Sequence, residues 1–325
     1  MKHPGNETEV VRRIERRFDA SKFRPLRLGP GDDAALWQPR PGYETVLTCD
    51  WFLEHSHFLR GKHPADAVGW KCLARAVSDI AAMGGEPRCF LLGLALPWDL
   101  TGRWLDGFLQ GLRRASTALR CELAGGDTTR QKKVLIDIAV IGEVRRGRAL
   151  LRSGARVGDA IFVSGTLGEA DLGLRRLKTQ KAVVAAATVR ELHHHLYPEP
   201  RLALGQWLAD RQLATAAMDL SDGLSSDLPR LCNASGVGAR IDLAALPIGK
   251  TAPKRIAQQL ALHGGDDYEL LFTVTKPNLT KIPARFEGLK LTRIGEITRT
   301  KQILVNDSGR LQKLEAAGWD PFRTG

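Results

Sequence analysis

The sequence has no C-x-x-C pair and only five cysteines, at positions 49, 72, 89, 121 and 232. An odd number of scattered thiols in mostly apolar surroundings reads as small core residues of a reducing compartment, not as zinc ligands or a disulfide framework. Long apolar runs are also missing. The longest, from Cys89 to Trp98, contains Gly93 and is closed by Pro97. It falls short of the roughly 18 residues a membrane-spanning helix needs and reads as a buried strand. The first residues are polar and charged with no apolar signal core, so the expectation is a cytoplasmic protein.

Several phosphate-binding and catalytic signatures are absent too. Gly249-Lys250-Thr251 resembles the end of a P-loop, but Ala244 stands where its first glycine is required. There is no protein-kinase glycine-rich loop and no H-R-D segment. Gly236-Val237-Gly238 lacks the third glycine of a dinucleotide fingerprint and reads as a turn into a strand. His193-His194-His195 lies in a helical stretch. Adjacent helical side chains point about 100° apart, so the run does not suit a three-histidine metal site.

What is present is an ordinary globular balance: 325 residues, 43% apolar and 26% charged, with a net charge of +12. That length suits two packed domains. The basic clusters Arg12-Arg13, Arg16-Arg17 and Arg145-Arg146-Gly147-Arg148 have little aromatic interleaving. They read as solvated surface, with no nucleic-acid partner expected.

Apolar spacing predicts helices over 7–19, from Pro64 to about Met83, and over 101–119. It predicts strands at Val46–Cys49 ending at Asp50, at 89–96 and at 133–143. A Gly/Arg-rich segment at 145–158 marks the domain boundary. Beyond it come a strand at 160–164, helices near 167–177, 182–196 and 201–210, and a strand ending at Asp219. A helix from about 223 and strands near 237–243, 269–275, 290–297 and 302–306 complete the pattern. Strands and helices mix without strict βαβ alternation, which favours α+β.

The strongest chemical signal is acidic residues beside Gly, Ser or Thr at predicted element ends. They occur in Gly31-Asp32-Asp33, Thr48-Cys49-Asp50, Ser78-Asp79, Gly125-Gly126-Asp127-Thr128-Thr129, Asp219-Leu220-Ser221-Asp222-Gly223 and Gly264-Gly265-Asp266-Asp267. Each alone is common turn or capping chemistry. Together they suit a polyphosphate held in a cleft through hard cations with oxygen ligands. Asp79 shares a helical stripe with Val68, Cys72, Ala76 and Met83. Its carboxylate is either a metal or cleft group, or a core aspartate satisfied by backbone donors.

In their order these motifs resemble the thiamine-monophosphate kinase family. They are joined by Gly29-Pro30, His57-Phe58, Ile80-Ala81-Ala82-Met83-Gly84, Arg152-Ser153-Gly154-Ala155, Tyr268-Glu269-Leu270 and Gly318-Trp319-Asp320-Pro321-Phe322. The resemblance runs from about residue 8 to Phe322. Single motifs are shared with aminoimidazole ribonucleotide synthetase, selenophosphate synthetase and a hydrogenase-maturation protein.

The resemblance implies an α+β fold with two domains, 1–147 and 148–325, and a homodimer pairing its N-terminal sheets. It implies ATP- and Mg²⁺-dependent phosphorylation of thiamine monophosphate by direct in-line transfer. Asp33, Thr48, Cys49, Asp50, Asp79, Asp127, Asp219 and Asp222 match metal positions. Gly126, Asp127, Arg152 and Ser221 match nucleotide contacts, with Asp127 and Arg152 as the catalytic pair. His57, Asp266 and Trp319 match substrate contacts. By itself His57 reads as a surface or structural histidine, and Trp319 as either a stacking ring or a hydrophobic plug.

Two departures stand out: Cys49 where Thr or Ser is usual, and Asp266 where Glu is usual. Another ATP-using enzyme of the wider superfamily is the alternative. A basic binding protein indifferent to ATP is a third reading, which the Asp-rich segments oppose.

Overall fold

The computed structural model describes residues 7–18, 26–30, 34–179 and 190–322. The chain divides into two compact units. The first comprises Met1–Ile80, Glu86–Arg146 and Leu177–Val189, and the second Ala81–Gly85, Gly147–Arg176 and Arg190–Gly325.

In the first unit, α1 (Glu7–Phe18) buries Val10, Ile14 and Phe18, one residue per turn. A short ribbon pairs β1 (Leu26–Leu28) with β2 (Leu36–Trp37). The main sheet contains β3 (Tyr43–Leu53), β4 (Glu86–Leu96), β5 (Glu122–Arg130) and β6 (Leu135–Arg145), in the order β3-β6-β4-β5. Its β4·β5 pair is parallel and the other pairs are antiparallel. Period-two alternation buries Ile136, Ile138 and Val140 of β6 on one face with Phe90, Leu92 and Leu94 of β4. Helix α2 (Ala65–Ala82) lies on that face, with Ile80 over Gly142 of β6. Helix α3 (Arg103–Leu119) buries Leu105, Phe108, Leu109 and Leu112 and stops at Arg120, which adopts a left-handed conformation.

The opposite face of this sheet leaves large apolar side chains exposed. Leu47 is 72% exposed, Trp51 56% and Leu91 41%.

The second unit is built on an eight-stranded sheet. Its strands are β7 (Ala160–Ser164), β8 (Ala214–Leu220), β9 (Gly238–Asp242), β10 (Glu269–Val274), β11 (Arg285–Phe286), β12 (Leu289–Thr298), β13 (Ile303–Asp307) and β14 (Arg310–Lys313). They run in the order β14-β13-β9-β12-β7-β10-β8, with β11 beside β12. The β13·β9 pair is parallel, and the mixed pairing gives an α+β architecture.

Both faces of the central strands are buried. On one side Ile161, Val163, Met218 and Leu271 cluster with Leu224, Leu228 and Leu231 of α7 (Leu224–Ser235). On the other, Phe162, Leu270 and Phe272 cluster with Leu204 and Leu208 of α6 (Leu202–Asp210). The Phe162 and Phe272 rings stack with centroids 5.5 Å apart. Each such fully buried side chain stabilises the fold by about 1.5–3 kcal/mol. Three further helices complete the unit: α4 (Glu169–Thr179), α5 (Arg190–Leu196) and α8 (Lys254–His263).

Three sequence expectations change. The strand at Val46 does not end at Asp50 but continues to Leu53, so Asp50 is mid-strand. Gly125-Gly126-Asp127 is not a loop but the middle of β5. Its glycines read as a turn, yet a Cβ on Gly126 would stand 2.0 Å from the Leu92 carbonyl oxygen. The close approach of β4 therefore requires glycine inside a strand. Helix α8 had no sequence-based counterpart. Of the helix expected over 182–196, only Arg190–Leu196 falls within the described residues.

Candidate functional site

In the first unit the described metal candidates lie on regular elements, not on loops. Thr48 of β3 donates its hydroxyl to Asp79 Oδ2 of α2 at 2.5 Å. The Asp79 carboxylate on the apolar stripe is thus partly satisfied by a side-chain hydroxyl. Asp50 is two residues along the same strand face as Thr48.

Cys49 alternates to the opposite face, where its thiol donates to Asp137 Oδ1 at 3.0 Å. It is the one exposed cysteine; the other four are buried. The hydrogen bond to Asp137 is the main reason its pKa is pushed up to about 11. The thiol therefore points away from Thr48 and Asp79, and only the backbone of Cys49 remains on their side. Asp127 is exposed on β5 and pairs with Gly93, which in turn pairs with Asp137. Asp33 lies outside the described residues.

His57 sits in the turn after β3. Its Nδ1 accepts the Leu53 backbone N–H at 2.9 Å, and its ring stacks on Phe52 with centroids 5.8 Å apart. With Nδ1 accepting, the neutral ring carries its proton on Nε2, which is then a donor.

The second unit gathers more of the candidates. Strand β8 ends in Asp219-Leu220, and Ser221-Asp222-Gly223 turns the chain into α7. The turn is held from within the helix. Asp227 Oδ2 accepts the backbone N–H groups of Ser221 and Asp222 at 3.1 and 3.0 Å. Burial is the main reason the Asp227 pKa is pushed up to about 6. Arg230 Nη1 bridges Asp222 Oδ2 at 2.6 Å and Asp227 Oδ1 at 2.7 Å.

Two distant segments are tied to this turn by their backbones. The Asp266 N–H donates to the Ser221 carbonyl at 2.8 Å. The Trp319 N–H donates to the Asp222 carbonyl at 2.9 Å. The second approach depends on Gly318, where a Cβ would stand 2.0 Å from the Asp222 oxygen. Trp319 stays half-exposed, so it is not a buried plug.

Arg152 is exposed on the segment before β7. That segment is pinned by Ser235, whose hydroxyl donates to the Arg152 carbonyl at 2.9 Å and accepts the Ala155 N–H at 3.1 Å.

Neighbouring residues that sequence reasoning passed over complete the geometry. Tyr268 donates its hydroxyl to Asp266 Oδ1 at 2.8 Å. Asp267 is partly buried, and desolvation raises its carboxyl well above the usual range. It accepts the N–H groups of Gly168 and Ala170 at the start of α4, at 2.7 and 3.4 Å. Glu269 is clamped by Arg201 through contacts of 2.8 and 2.5 Å and also accepts the Ser164 hydroxyl. The Asp-Asp-Tyr-Glu sequence was visible as a motif, but the partners of its members come from remote segments. Asp137 and Asp227 carried no sequence signal at all.

The three histidines of α5 diverge as helical geometry requires. The His193 ring packs at a tilt against Tyr197 with centroids 5.4 Å apart, His194 Nε2 lies 3.1 Å from Glu169 Oε2, and His195 Nδ1 lies 3.6 Å from Asp266 Oδ2.

Hard oxygen donors dominate the candidate metal set, which suits Mg²⁺. Among the described residues no group of three or more His, Cys, Asp or Glu side chains is arranged to hold a metal by itself. That is compatible with Mg²⁺, which is ordinarily bound through one or two carboxylates together with substrate phosphates and water.

The N-terminal domain family of AIR synthase related proteins matches residues 31–144, and the C-terminal domain family matches 156–306. A thiamine-monophosphate kinase of Escherichia coli K12 is 39% identical over 322 residues, covering 96% of this chain and 97% of that protein. The crystal structure of thiamine-monophosphate kinase from Stenotrophomonas maltophilia K279a superposes with a TM-score of 0.82 at 37% identity, covering 95% and 96% of the two chains. A structure described as AaThiL complexed with AMPPCP and TMP superposes with a TM-score of 0.77 at 32% identity, covering 97% of each chain. This chain therefore belongs to the thiamine-monophosphate kinase family of AIR synthase related proteins.

Proposed function

We propose that the chain transfers the γ-phosphoryl group of ATP to thiamine monophosphate, giving thiamine diphosphate, by direct in-line displacement. The observation that carries the reading is the knot in the second unit. There the Ser221 carbonyl holds Asp266 and the Asp222 carbonyl holds Trp319. One turn thus gathers a nucleotide contact (Ser221), cation ligands (Asp219 and Asp222) and acceptor contacts (Asp266 and Trp319).

Direct transfer needs alignment and charge neutralisation more than a nucleophilic side chain. Asp33, Thr48, Cys49 through its backbone, Asp50, Asp79, Asp127, Asp219 and Asp222 would hold Mg²⁺, which would supply neutralisation of the polyphosphate. Arg152, on its pinned segment, adds a fixed positive charge toward the nucleotide, and Gly126 lets the backbone approach it. Asp266 accepts hydrogen bonds from the acceptor, Trp319 stacks on its cationic thiazolium or its pyrimidine, and the Nε2–H of His57 donates to one of its oxygens.

Residues 1–147 form the dimerisation and metal domain, and residues 148–325 complete the nucleotide and acceptor sites. The sheet face with exposed Leu47, Trp51 and Leu91 supports pairing of first-domain sheets in a homodimer. The reaction belongs to the cytoplasm. No described helix is long and apolar enough to cross a membrane.

The test is to incubate the chain with ATP, Mg²⁺ and thiamine monophosphate and follow thiamine diphosphate by chromatography. Product that needs the metal, and that falls at least about 100-fold in rate for Asp127→Asn, is the expected result. ATP binding by folded protein without product would move the function to another superfamily reaction.

A further inference from the structure

Asp266 is held in a way that its own loop does not explain. It has a left-handed backbone with φ of 69°, and Tyr268, two residues on, has φ of 51°. Such conformations in non-glycine residues persist where the surroundings over-determine them. Three anchors do so here. The Asp266 N–H is bound by Ser221, the intervening Asp267 carboxyl is hydrogen-bonded to the start of α4, and the Tyr268 N–H donates to the Leu220 carbonyl at 2.9 Å.

The side chain is constrained as well. Asp266 Oδ1 accepts the Tyr268 hydroxyl at 2.8 Å, and Oδ2 faces Nδ1 of His195 at 3.6 Å. The His195 side chain is 1% exposed and that of Asp266 28%. A buried imidazole therefore backs a carboxylate that still reaches solvent. Helix α5 is itself fixed in rotation by the neighbouring His194, whose Nε2 lies 3.1 Å from Glu169 Oε2 on α4.

We propose that His195 and Tyr268 are positioning residues that fix the plane of the Asp266 carboxylate for the acceptor substrate. This rests on the reading of Asp266 as an acceptor contact. A free surface aspartate loses rotamer freedom when it binds; one already held by two partners does not lose it again. So held, the carboxylate is set to accept an N–H from the amino group of the acceptor's pyrimidine, while the acceptor's separate thiazolium ring carries the positive charge. A shift of the carboxylate weakens acceptor binding and leaves ATP binding unchanged. That asymmetry separates positioning from general structural support.

The test is steady-state kinetics on the full chain, varying thiamine monophosphate and ATP separately. Tyr268→Phe keeps the ring and removes one hydrogen bond. It raises KM for thiamine monophosphate about fivefold and leaves kcat and KM for ATP within about twofold. His195→Leu gives a similar rise. His195→Asn, which returns an amide nitrogen near the place of Nδ1, recovers most of it. Where His195→Leu fails to fold in a thermal melt, Tyr268→Phe decides alone.

Asp266→Asn is the reference. If it raises KM for thiamine monophosphate and neither partner variant does, the positioning role is overturned and the acceptor role of Asp266 stands. If Asp266→Asn leaves that KM unchanged, the acceptor role fails and the proposal falls with it. Equal losses for both substrates make the two residues merely structural. No thiamine diphosphate from the unsubstituted chain overturns the kinase reading itself.

Discussion

His263 shows how one side chain ties the candidate site to the fold. Its Nδ1 pairs with the Ser225 hydroxyl at 2.9 Å, and the same oxygen accepts the Ala317 N–H at 3.3 Å. One interaction thus joins α8, α7 and the segment that carries Trp319. Burial lowers the His263 pKa below its usual value. The unfolded chain then takes up the proton first on acidification. The stabilising contribution is complete above the unfolded value of about 6.5 and is lost as pH falls through the folded one. Urea denaturation at pH 7.5 and 5.5 reads this. The unsubstituted chain loses more stability on acidification than His263→Asn, which keeps a hydrogen-bonding amide but cannot titrate. Equal losses would assign the acid sensitivity to other groups.

At the scale of elements, helix α4 begins without a capping residue of its own and takes one from Asp267, about a hundred positions later in the sequence. Two helix N–H groups depend on that carboxyl. Removing it leaves both donors buried without their partner, a loss of about 2 kcal/mol. Asp267→Ala therefore lowers the urea midpoint, while Asp267→Asn, which keeps an acceptor oxygen, lowers it less. A smaller loss for alanine than for asparagine would remove the cap from the account. This cap was not legible beforehand, because sequence signals for caps are local and this one is tertiary. Strand β5 failed for a related reason. Glycines there suggest a turn until the neighbouring Leu92 carbonyl shows why no side chain fits.

At the scale of the molecule, the first unit presents Leu47, Trp51 and Leu91 exposed on one sheet face, apolar surface that pairing of sheets would cover. If first-domain sheets pair there, Leu47→Glu combined with Trp51→Glu shifts sedimentation from dimer to monomer while the far-ultraviolet spectrum stays unchanged. A monomeric unsubstituted chain, or a variant that stays dimeric, would place the interface elsewhere. The alternation of β3 exposed Leu47 and Trp51 in principle. Sequence reading took only the short stretch to Asp50 as strand, so the continuous apolar row was missed.

The α+β class, most helices and strands, and the family were all legible in the linear order of motifs, because hydrophobic periodicity and glycine-flanked carboxylates are local patterns. The candidate residues Asp219, Ser221 and Asp222 were legible for the same reason. Tertiary structure alone decided that Asp266 and Trp319 are tied to that turn by backbone hydrogen bonds, and that Cys49 turns its thiol to Asp137. It also decided that His195 stands behind Asp266. These are contacts between residues about fifty to a hundred positions apart. Their existence depends on strand pairing, on the alternation of side chains across a sheet and on the close approach of backbones, none of which a local stretch of sequence encodes.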